Sequence, residues 1–448
     1  MSKSAQSTEH VHFEQLKEKI KNKTAAVSIL GLGYVGLPLV LENCKAGFRV
    51  AGIDMNDEKV RMLNEGMSYI KDISNEWIHR VVKNGTFTAT NKFEQLSSSD
   101  IIVICVPTPL TAMREPDLSY IKSAINEVSA HLHRGQLIVL ESTTYPGTTD
   151  EVILPALQQT GLVVGKDFYL AYSPERVDPG NKIFSTGNTP RIVGGVTENC
   201  CKLAALFYEQ TVCKVVPVSS PAAAEMTKLF ENAYRAVNIG FVNELMLLCD
   251  KMKLDIWEII DAAGTKPFGI DIFYPGPGFG GHCIPIDPFY LAYRARKYGN
   301  LVHFIELAGQ MNVQASEYVM NKVQRVLNSF NTCLNGSEIL AVGVAYKKDV
   351  EDVRESPALR IIAGLIQENA NVSYHDPHVP EIKLPECNDV LHSIPLTAEE
   401  IAGADCVVIL TDHSSVDYEL IVKHARAVVD TRNATRFIKH GREKIYKI

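Results

Sequence analysis

Several things are missing from this chain, and each absence narrows what it is. No apolar run approaches the roughly 20 residues that span a bilayer; the longest, at Ile101–Val106 and Val407–Leu410, have the length of strands. The opening stretch Met1–His10 is polar and lacks the apolar centre of a secretory signal. No C-x-x-C pair occurs among the 10 cysteines, and Cys200–Cys201 is the one adjacent pair. Neither a zinc site of paired thiolates nor a disulfide framework is therefore expected, and reduced cysteines fit a cytoplasmic protein. An excess of positive charge is also missing, since 45 Lys and Arg face 52 Asp and Glu for a net charge of −7. Nucleic acid and acidic membrane surfaces are thereby poor partners. Any anionic ligand must be met by local cations and helix ends.

What is present is a chain of 448 residues, 46% hydrophobic, long enough for two or three domains with their own cores. Ala25–Leu30, Arg49–Ile53, Asp100–Val106, Gln136–Leu140 and Phe168–Ala171 are short apolar runs separated by helical stretches, the pattern of buried parallel strands. From Ala222 to Met252 the apolar spacing is helical and free of proline, a length of roughly 45 Å if unbroken. A helix that long should bridge domains. Its Leu229, Phe230, Ile239, Phe241, Leu245 and Leu248 exceed what one intrachain contact covers, so a homodimer or larger homo-oligomer is expected around it. Beyond residue 333 the first pattern returns in Glu338–Lys347, Asn371–Asp376, Asp405–Asp412 and Ala427–Asp430. The expected fold class is α/β, with two Rossmann-like doubly wound parallel-sheet domains joined by a long central helix. The expected boundaries are 1–218, 219–332 and 333–448.

Gly31-x-Gly33-x-x-Gly36, with Tyr34 and Val35 inside the turn, follows the first strand and opens a helix, and Asp54 ends the next strand. In that setting the glycines let the backbone approach a pyrophosphate seated at the helix N-terminus. Asp54 would accept from the adenosine ribose and repel a 2′-phosphate, which favours NAD over NADP. Lys59 is within reach of the same cofactor. Pro107 and Thr108, and Ser142 and Thr143 after Glu141, fall where strands run out at the edge that carries the ligand crevice. Glu175, in Ser-Pro-Glu-Arg, follows another strand end and should face that crevice.

Glu225-x-x-Lys228-x-x-x-Asn232 lies on the long helix, and Lys228 and Asn232, four apart, share a face. An ammonium and an amide so placed can hold a developing oxyanion. Pro275-Gly-Pro-Gly278-Phe-Gly280-Gly-His-Cys283-Ile-Pro-Ile-Asp287 presents one thiol in a loop long enough to wrap a ligand. A thiol nucleophile needs a lowered pKa or a nearby base, and His282, Asp287 and Lys228 are candidates. A hydride-accepting cofactor together with a presented thiol points to an alcohol oxidised past the aldehyde, through a thioester, to an acid. In Ala345-Tyr-Lys347…Arg354, cations fall at the first turn of the second α/β domain, where an anion clamp would sit.

These motifs, in this order, resemble the UDP-glucose/GDP-mannose dehydrogenase family over nearly the whole chain. Gly-Gly-His-Cys283-Ile-Pro-Ile-Asp287-Pro and Ser-Pro-Glu175-Arg-Val-Asp-Pro-Gly look most like its bacterial UDP-N-acetylglucosamine 6-dehydrogenase branch. The resemblance implies NAD in the first domain, a UDP-sugar against the second, and a helix-mediated dimer. By position it makes Cys283 the nucleophile and Lys228 and Asn232 the oxyanion and substrate holders. Asp287 and Thr143 would orient the entering water, and Glu175 would serve as acid and base. Lys347 would contact the UDP-sugar, Arg354 the cofactor, and Tyr274 to Gly280, with Gly278, the substrate. Pro179 stands where the UDP-glucose branch has a second acid, which shifts that burden to Glu175 and Asp287. The implied activity is a four-electron oxidation of C6 of a UDP-hexosamine, UDP-GlcNAc first, for surface polysaccharide synthesis. UDP-GalNAc, UDP-ManNAc and UDP-glucose are the alternatives. A two-electron hydroxyacid dehydrogenase would leave Cys283 and the second α/β domain without a purpose, and a nucleotide-sensing scaffold would not need the thiol.

Overall fold

A computed structural model describes residues 3–70, 73–111, 113–176, 183–281, 284–384 and 390–448. The chain divides into two compact units, Met1–Glu231 with Phe289–Tyr298 and Asn232–Pro288 with Gly299–Ile448.

The first unit is built on eight strands: β1 (Ala26–Leu30), β2 (Arg49–Ile53), β3 (Phe87–Thr90), β4 (Ile101–Ile104), β5 (Leu137–Leu140), β6 (Tyr169–Tyr172), β7 (Arg191–Gly195) and β8 (Val215–Val218). They lie in the order β3-β2-β1-β4-β5-β6-β7-β8. The central strands are apolar at every position because both faces are covered. Ile101 and Val103 of β4 and Leu137 and Val139 of β5 enter one core, while Ile102, Ile104, Ile138 and Leu140 enter the other. That division is the two-residue side-chain period of a strand. The order reverses at β1, between β2 and β4, which opens a crevice at the C-terminal ends of β1 and β4.

The sheet departs from the expected parallel arrangement at one junction. β6 and β7 pair antiparallel, Ala171 with Gly195 and Tyr172 with Gly194. A parallel pair needs a crossover element, and no helix occurs between β6 and β7 among the described residues. The helix Glu198–Tyr208 then returns the chain, and β8 runs parallel to β7. The sequence reading missed β3, β7 and β8; in β7, Arg191 and two glycines weaken the apolar run. In β8, Pro217 is tolerated because the strand is an edge.

The helix Pro221–Met252 is unbroken over 32 residues, about 48 Å; its first turns belong to the first unit and the rest to the second. In the second unit its Val242, Met246 and Cys249 share a core with Ile256 and Trp257 of the helix Ile256–Ala263 and with Val319, Val323 and Val326 of the helix His303–Ser329. The same core packs on one face of a second sheet, through Ile339, Ala341, Cys406, Val408 and Val429. The strands here are β9 (Glu338–Val342), β10 (Asn371–His375), the hairpin β11 (Glu381–Lys383) and β12 (Val390–His392), β13 (Cys406–Ile409), β14 (Val428–Asp430) and β15 (Ile445–Lys447). The sheet is wholly parallel in the order β10-β9-β13-β14-β15, with its reversal at β9. No described helix is long and apolar enough to cross a membrane.

Candidate active site

In the first unit the turn after β1 has the shape its glycines predict. Gly31 has φ +88°, and a Cβ there would stand 2.4 Å from the Cys105 carbonyl oxygen. A Cβ on Gly36 would lie 1.9 Å from the Gly31 carbonyl oxygen, so this glycine lets the helix Gly36–Lys45 close on the strand. Gly33 has nothing within 4 Å of its Cβ position. It is the glycine that faces open space, where a pyrophosphate would approach. Asp54 is fixed from both sides, with Oδ2 accepting from the Leu32 N–H at 2.9 Å and Oδ1 from the Asn56 N–H at 3.0 Å. Lys59 Nζ lies 3.7 Å from Asp54 Oδ2 and over the ring of Tyr69, whose hydroxyl donates to the Leu32 carbonyl. Gly31, Gly33, Asp54, Lys59 and Pro107 line one cavity of about 490 Å³. An acid held by the turn it faces, beside an open glycine, fits a dinucleotide. Tyr34 is exposed and Val35 half-buried at that turn.

The neighbouring strand ends are tied together. Ser142 Oγ donates to the Val106 carbonyl at 2.8 Å, and the buried Tyr290 hydroxyl donates to the Thr108 carbonyl at 2.8 Å. Thr143 is half-buried. Beneath Ser142, Glu141 accepts from both Arg191 and Tyr208, all three buried. Burial and the Glu141 carboxylate push the Tyr208 hydroxyl up, and burial above all raises the Cys105 thiol. Those two groups are therefore neutral.

Lys228 and Glu175 meet. They are 6% and 8% exposed; Lys228 Nζ donates to the Glu175 carbonyl at 2.7 Å and lies 3.8 Å from its Oε2. A nearly dry ammonium beside a nearly dry carboxylate is a group that stabilises negative charge next to one that moves protons. One turn upstream on the helix, Glu225 accepts from Gly147 and Thr149 on the turn after β5.

In the second unit Asn232 Nδ2 donates to Asp287 Oδ2, both residues being buried. Asp287 opens the helix Asp287–Lys297. The glycine-rich loop is held by side-chain amides: Gly276 N–H donates to Asn243 Oδ1 at 3.0 Å, and Asn312 brackets Phe279 through its N–H and its carbonyl. Ser316 Oγ donates to the Pro277 carbonyl at 2.7 Å. Gly280 packs so close to the turn after β9 that a Cβ would meet the Glu355 carbonyl oxygen at 2.6 Å. At Gly278, φ +134°, a Cβ would lie 2.7 Å from Asn312 Oδ1. Cys283, His282 and Pro179, to which the sequence reading attached roles, lie outside the described residues.

Two residues of that reading are engaged locally. Tyr274 stacks on Trp257 at 5.3 Å, and its hydroxyl donates to Asp261 Oδ1 at 2.6 Å. Arg354 is paired with Asp352 two residues before it, Nη2 to Oδ2 at 2.6 Å. Lys347 is half-buried.

The sequence reading passed over Arg432, after β14. Its Nε donates to the Leu410 carbonyl at 3.1 Å, and its Nη1 stands 2.5 Å from where Gly276 would carry a Cβ. Burial lowers its pKa without discharging it, so a cation backs the glycine loop. The signal available in sequence was its place just past a strand end, as at Asp54 and Thr108.

The second sheet repeats the acid of the first but closes it off. Asp376, after β10, corresponds to Asp54, yet it is buried and accepts from the Val344 and Ala345 N–H groups and from His413 Nε2 at 3.0 Å. His413 Nδ1 accepts the Asp349 N–H at 3.0 Å. Both ring nitrogens are thus used, in the Nε2–H tautomer that this network requires. Asp349, His378 and His413 are the one group among the described residues spaced to ligate a metal. With the His413 lone pair committed, no ion is assigned there. At this position the second sheet carries a closed acid where the first carries an open one.

Sequence models of the UDP-glucose/GDP-mannose dehydrogenase family match residues 25–212 (NAD binding domain), 222–314 (central domain) and 340–437 (UDP binding domain). A UDP-N-acetyl-D-mannosamine dehydrogenase of Pyrococcus horikoshii is 35% identical over 413 residues, covering 91% of this chain and 95% of the relative. An NDP-N-acetyl-D-galactosaminuronic acid dehydrogenase of Ralstonia nicotianae is 34% identical, with coverage of 91% and 95%. Among solved structures, the Pyrococcus horikoshii UDP-D-ManNAc dehydrogenase superposes with a TM-score of 0.84 at 34% identity, covering 93% of this chain and 96% of that one.

Proposed function

Because this chain belongs to the UDP-glucose/GDP-mannose dehydrogenase family, NAD-dependent oxidoreductases of nucleotide sugars, we propose that it oxidises C6 of a UDP-N-acetylhexosamine to the uronic acid. The reaction is UDP-sugar + 2 NAD⁺ + H₂O → UDP-uronate + 2 NADH + 3 H⁺. The observation that carries the reading is the nearly dry Lys228–Glu175 pair, with Lys228 on the same helix as an Asn232 that is held by Asp287. The acetamido class is supported by relatives named for UDP-N-acetyl-D-mannosamine and N-acetyl-D-galactosaminuronic acid. Within that class the stretches around Cys283 and Glu175 make UDP-GlcNAc the first substrate to test.

When bound in the crevice of Gly31, Gly33 and Asp54, NAD supplies the acceptor for both hydrides. Glu175 takes protons from the C6 oxygen. Lys228 and Asn232 hold that oxygen as charge develops on it, and Asp287 fixes the Asn232 amide by accepting from its Nδ2. The Cys283 thiolate adds to the aldehyde carbon, so the reactive aldehyde does not escape between the two oxidations. Loss of the second hydride from the resulting thiohemiacetal gives a thioester, which is opened by a water that Asp287 and Thr143 orient. Lys347 and Arg432 neutralise the UDP phosphates, and Arg354 reaches the cofactor once freed from Asp352. We assign NAD to residues 1–218, the thiol loop and assembly helix to 219–332 and the UDP-sugar to 333–448. A cytoplasmic location and a role in surface polysaccharide synthesis belong to the same proposal.

The test is stoichiometry. With UDP-GlcNAc, UDP-ManNAc, UDP-GalNAc and UDP-glucose offered separately, at least one acetamido sugar is expected to yield two NADH per sugar and a uronate by mass spectrometry. One NADH and an aldehyde or ketone would replace this reading with a two-electron dehydrogenase. No turnover of any of them would leave a nucleotide-binding protein.

Assembly is part of the proposal. Phe230, Phe241, Leu248 and Met252 on the long helix are 63%, 56%, 51% and 58% exposed. Leu229, one of the apolar residues from which the sequence reading argued for an interface, is fully buried. A groove of about 690 Å³ runs along the second-unit part of the helix, lined by Phe241, Leu245, Ile259 and Phe268. Apolar surface of this extent supports a two-fold homodimer built around the helix. Light scattering at micromolar concentration is expected to give at least twice the chain mass of 49.6 kDa; a stable active monomer would refute it.

A further inference from the structure

We propose that Glu225 is a positioning residue for this reaction: from the first turn of the long helix its carboxylate holds the turn after β5, which carries Thr143, in register with Lys228 on the same helix. The inference rests on the reading that Thr143 and Lys228 serve the oxidation.

Glu225 is fully buried. Its Oε2 accepts from the Gly147 N–H at 2.5 Å, and its Oε1 accepts from the Thr149 N–H at 2.9 Å and the Thr149 hydroxyl at 2.7 Å. Three donors thus converge on one carboxylate from a turn that begins at Thr143. Within that turn the Thr144 and Thr148 hydroxyls bond each other at 2.6 Å, so the segment moves as a piece. On its other side Gly147, φ +97°, is pressed against Arg294, whose Nη2 would lie 2.6 Å from a Cβ. Arg294 is itself clamped by both oxygens of Glu151. The corner is therefore gripped between Glu225 and Arg294.

The choice of residue is informative. No Lys, Arg or His among the described residues pairs with Glu225, and a buried carboxylate without a cation is costly. Lys228, three residues on, turns to Glu175 instead. For stability alone an amide or an apolar side chain would serve better. A carboxylate is the one side chain that accepts all three bonds and donates none.

This grip depends on ionisation. Burial pushes the Glu225 carboxyl up to about 7, against the downward pull of the Thr149 hydroxyl and of the Thr149 and Gly147 N–H groups, while Asp150 adds a smaller upward push. The other titratable groups around it are Tyr145 and Glu151 of the same segment, Arg294 and Lys297 of the helix Asp287–Lys297, and Glu175 and Lys228. A proton on Oε2 removes the acceptor of the Gly147 N–H and frees the corner. kcat is therefore expected to fall as pH drops through about 7.

The experiment compares wild type, Glu225→Gln and Thr149→Val by steady-state NADH formation across pH, with thermal melts to establish folding. Glu225→Gln presents an N–H to the Gly147 N–H and is expected to lower kcat on the order of tenfold. KM for NAD should change far less, and the acid limb should be absent. Thr149→Val removes one bond to the charged form and is expected to move the limb upward by roughly half a unit or more. A folded Glu225→Gln with wild-type kcat, or with its limb unmoved, overturns the proposal. If that variant does not fold, an unmoved limb in Thr149→Val overturns it. Failure of the functional reading is seen separately, as absence of two NADH per sugar from the wild type.

Discussion

Cys283→Ser is expected to reduce formation of the second NADH by at least ~10³-fold, the scale on which loss of a nucleophile is felt in other covalent enzymes. Serine keeps the size of the side chain but is a far weaker nucleophile at neutral pH, and its ester is a poorer acyl donor to water than a thioester. The variant should bind NAD as the wild type does, because the turn Gly31–Gly36 and Asp54 are built from other residues of the first unit. Fluorescence titration with NADH checks binding, and rapid-quench mass spectrometry of the wild type should trap a sugar adduct on the Cys283 peptide. Near-wild-type output of two NADH per sugar by the serine variant would sink the thiol mechanism.

Lys228→Ala is the second large effect, with an expected loss in kcat on the order of 10²–10³ and a much smaller change in KM. The lysine is 6% exposed, so its charge acts in a poorly screened setting where an oxyanion donor is worth most. Its removal also strips the Glu175 carbonyl of a donor and takes one cation from beside its carboxylate. Steady-state kinetics with UDP-sugar and NAD varied separately make the distinction. A loss confined to KM would make the lysine a ground-state binder and end its oxyanion role.

The sequence by itself determined what depends on residues near one another along the chain. Alternation of apolar runs and helical spacing specified two α/β units, since strand and helix periods are written locally. The glycine turn and Asp54 were readable because a strand end, a positive-φ turn and an acid at the end of the next strand require particular residue types. The long helix was readable because nothing in Pro221–Met252 breaks it after the first residue. Tertiary structure alone decided the rest. It turned β7 against β6, which no local pattern announces. It buried Leu229 while leaving Phe230 in solvent. It brought Arg432 to Gly276, more than 150 residues earlier in sequence, and Glu225 to the turn after β5. The two sheets show the same limit most clearly. Asp54 and Asp376 end equivalent strands and look alike in sequence, yet one lines an open cavity and the other is closed by His413 from the loop after β13. A residue's type and local backbone follow from its own stretch of chain, whereas whether it meets water, a ligand or another side chain depends on which distant segment folds against it.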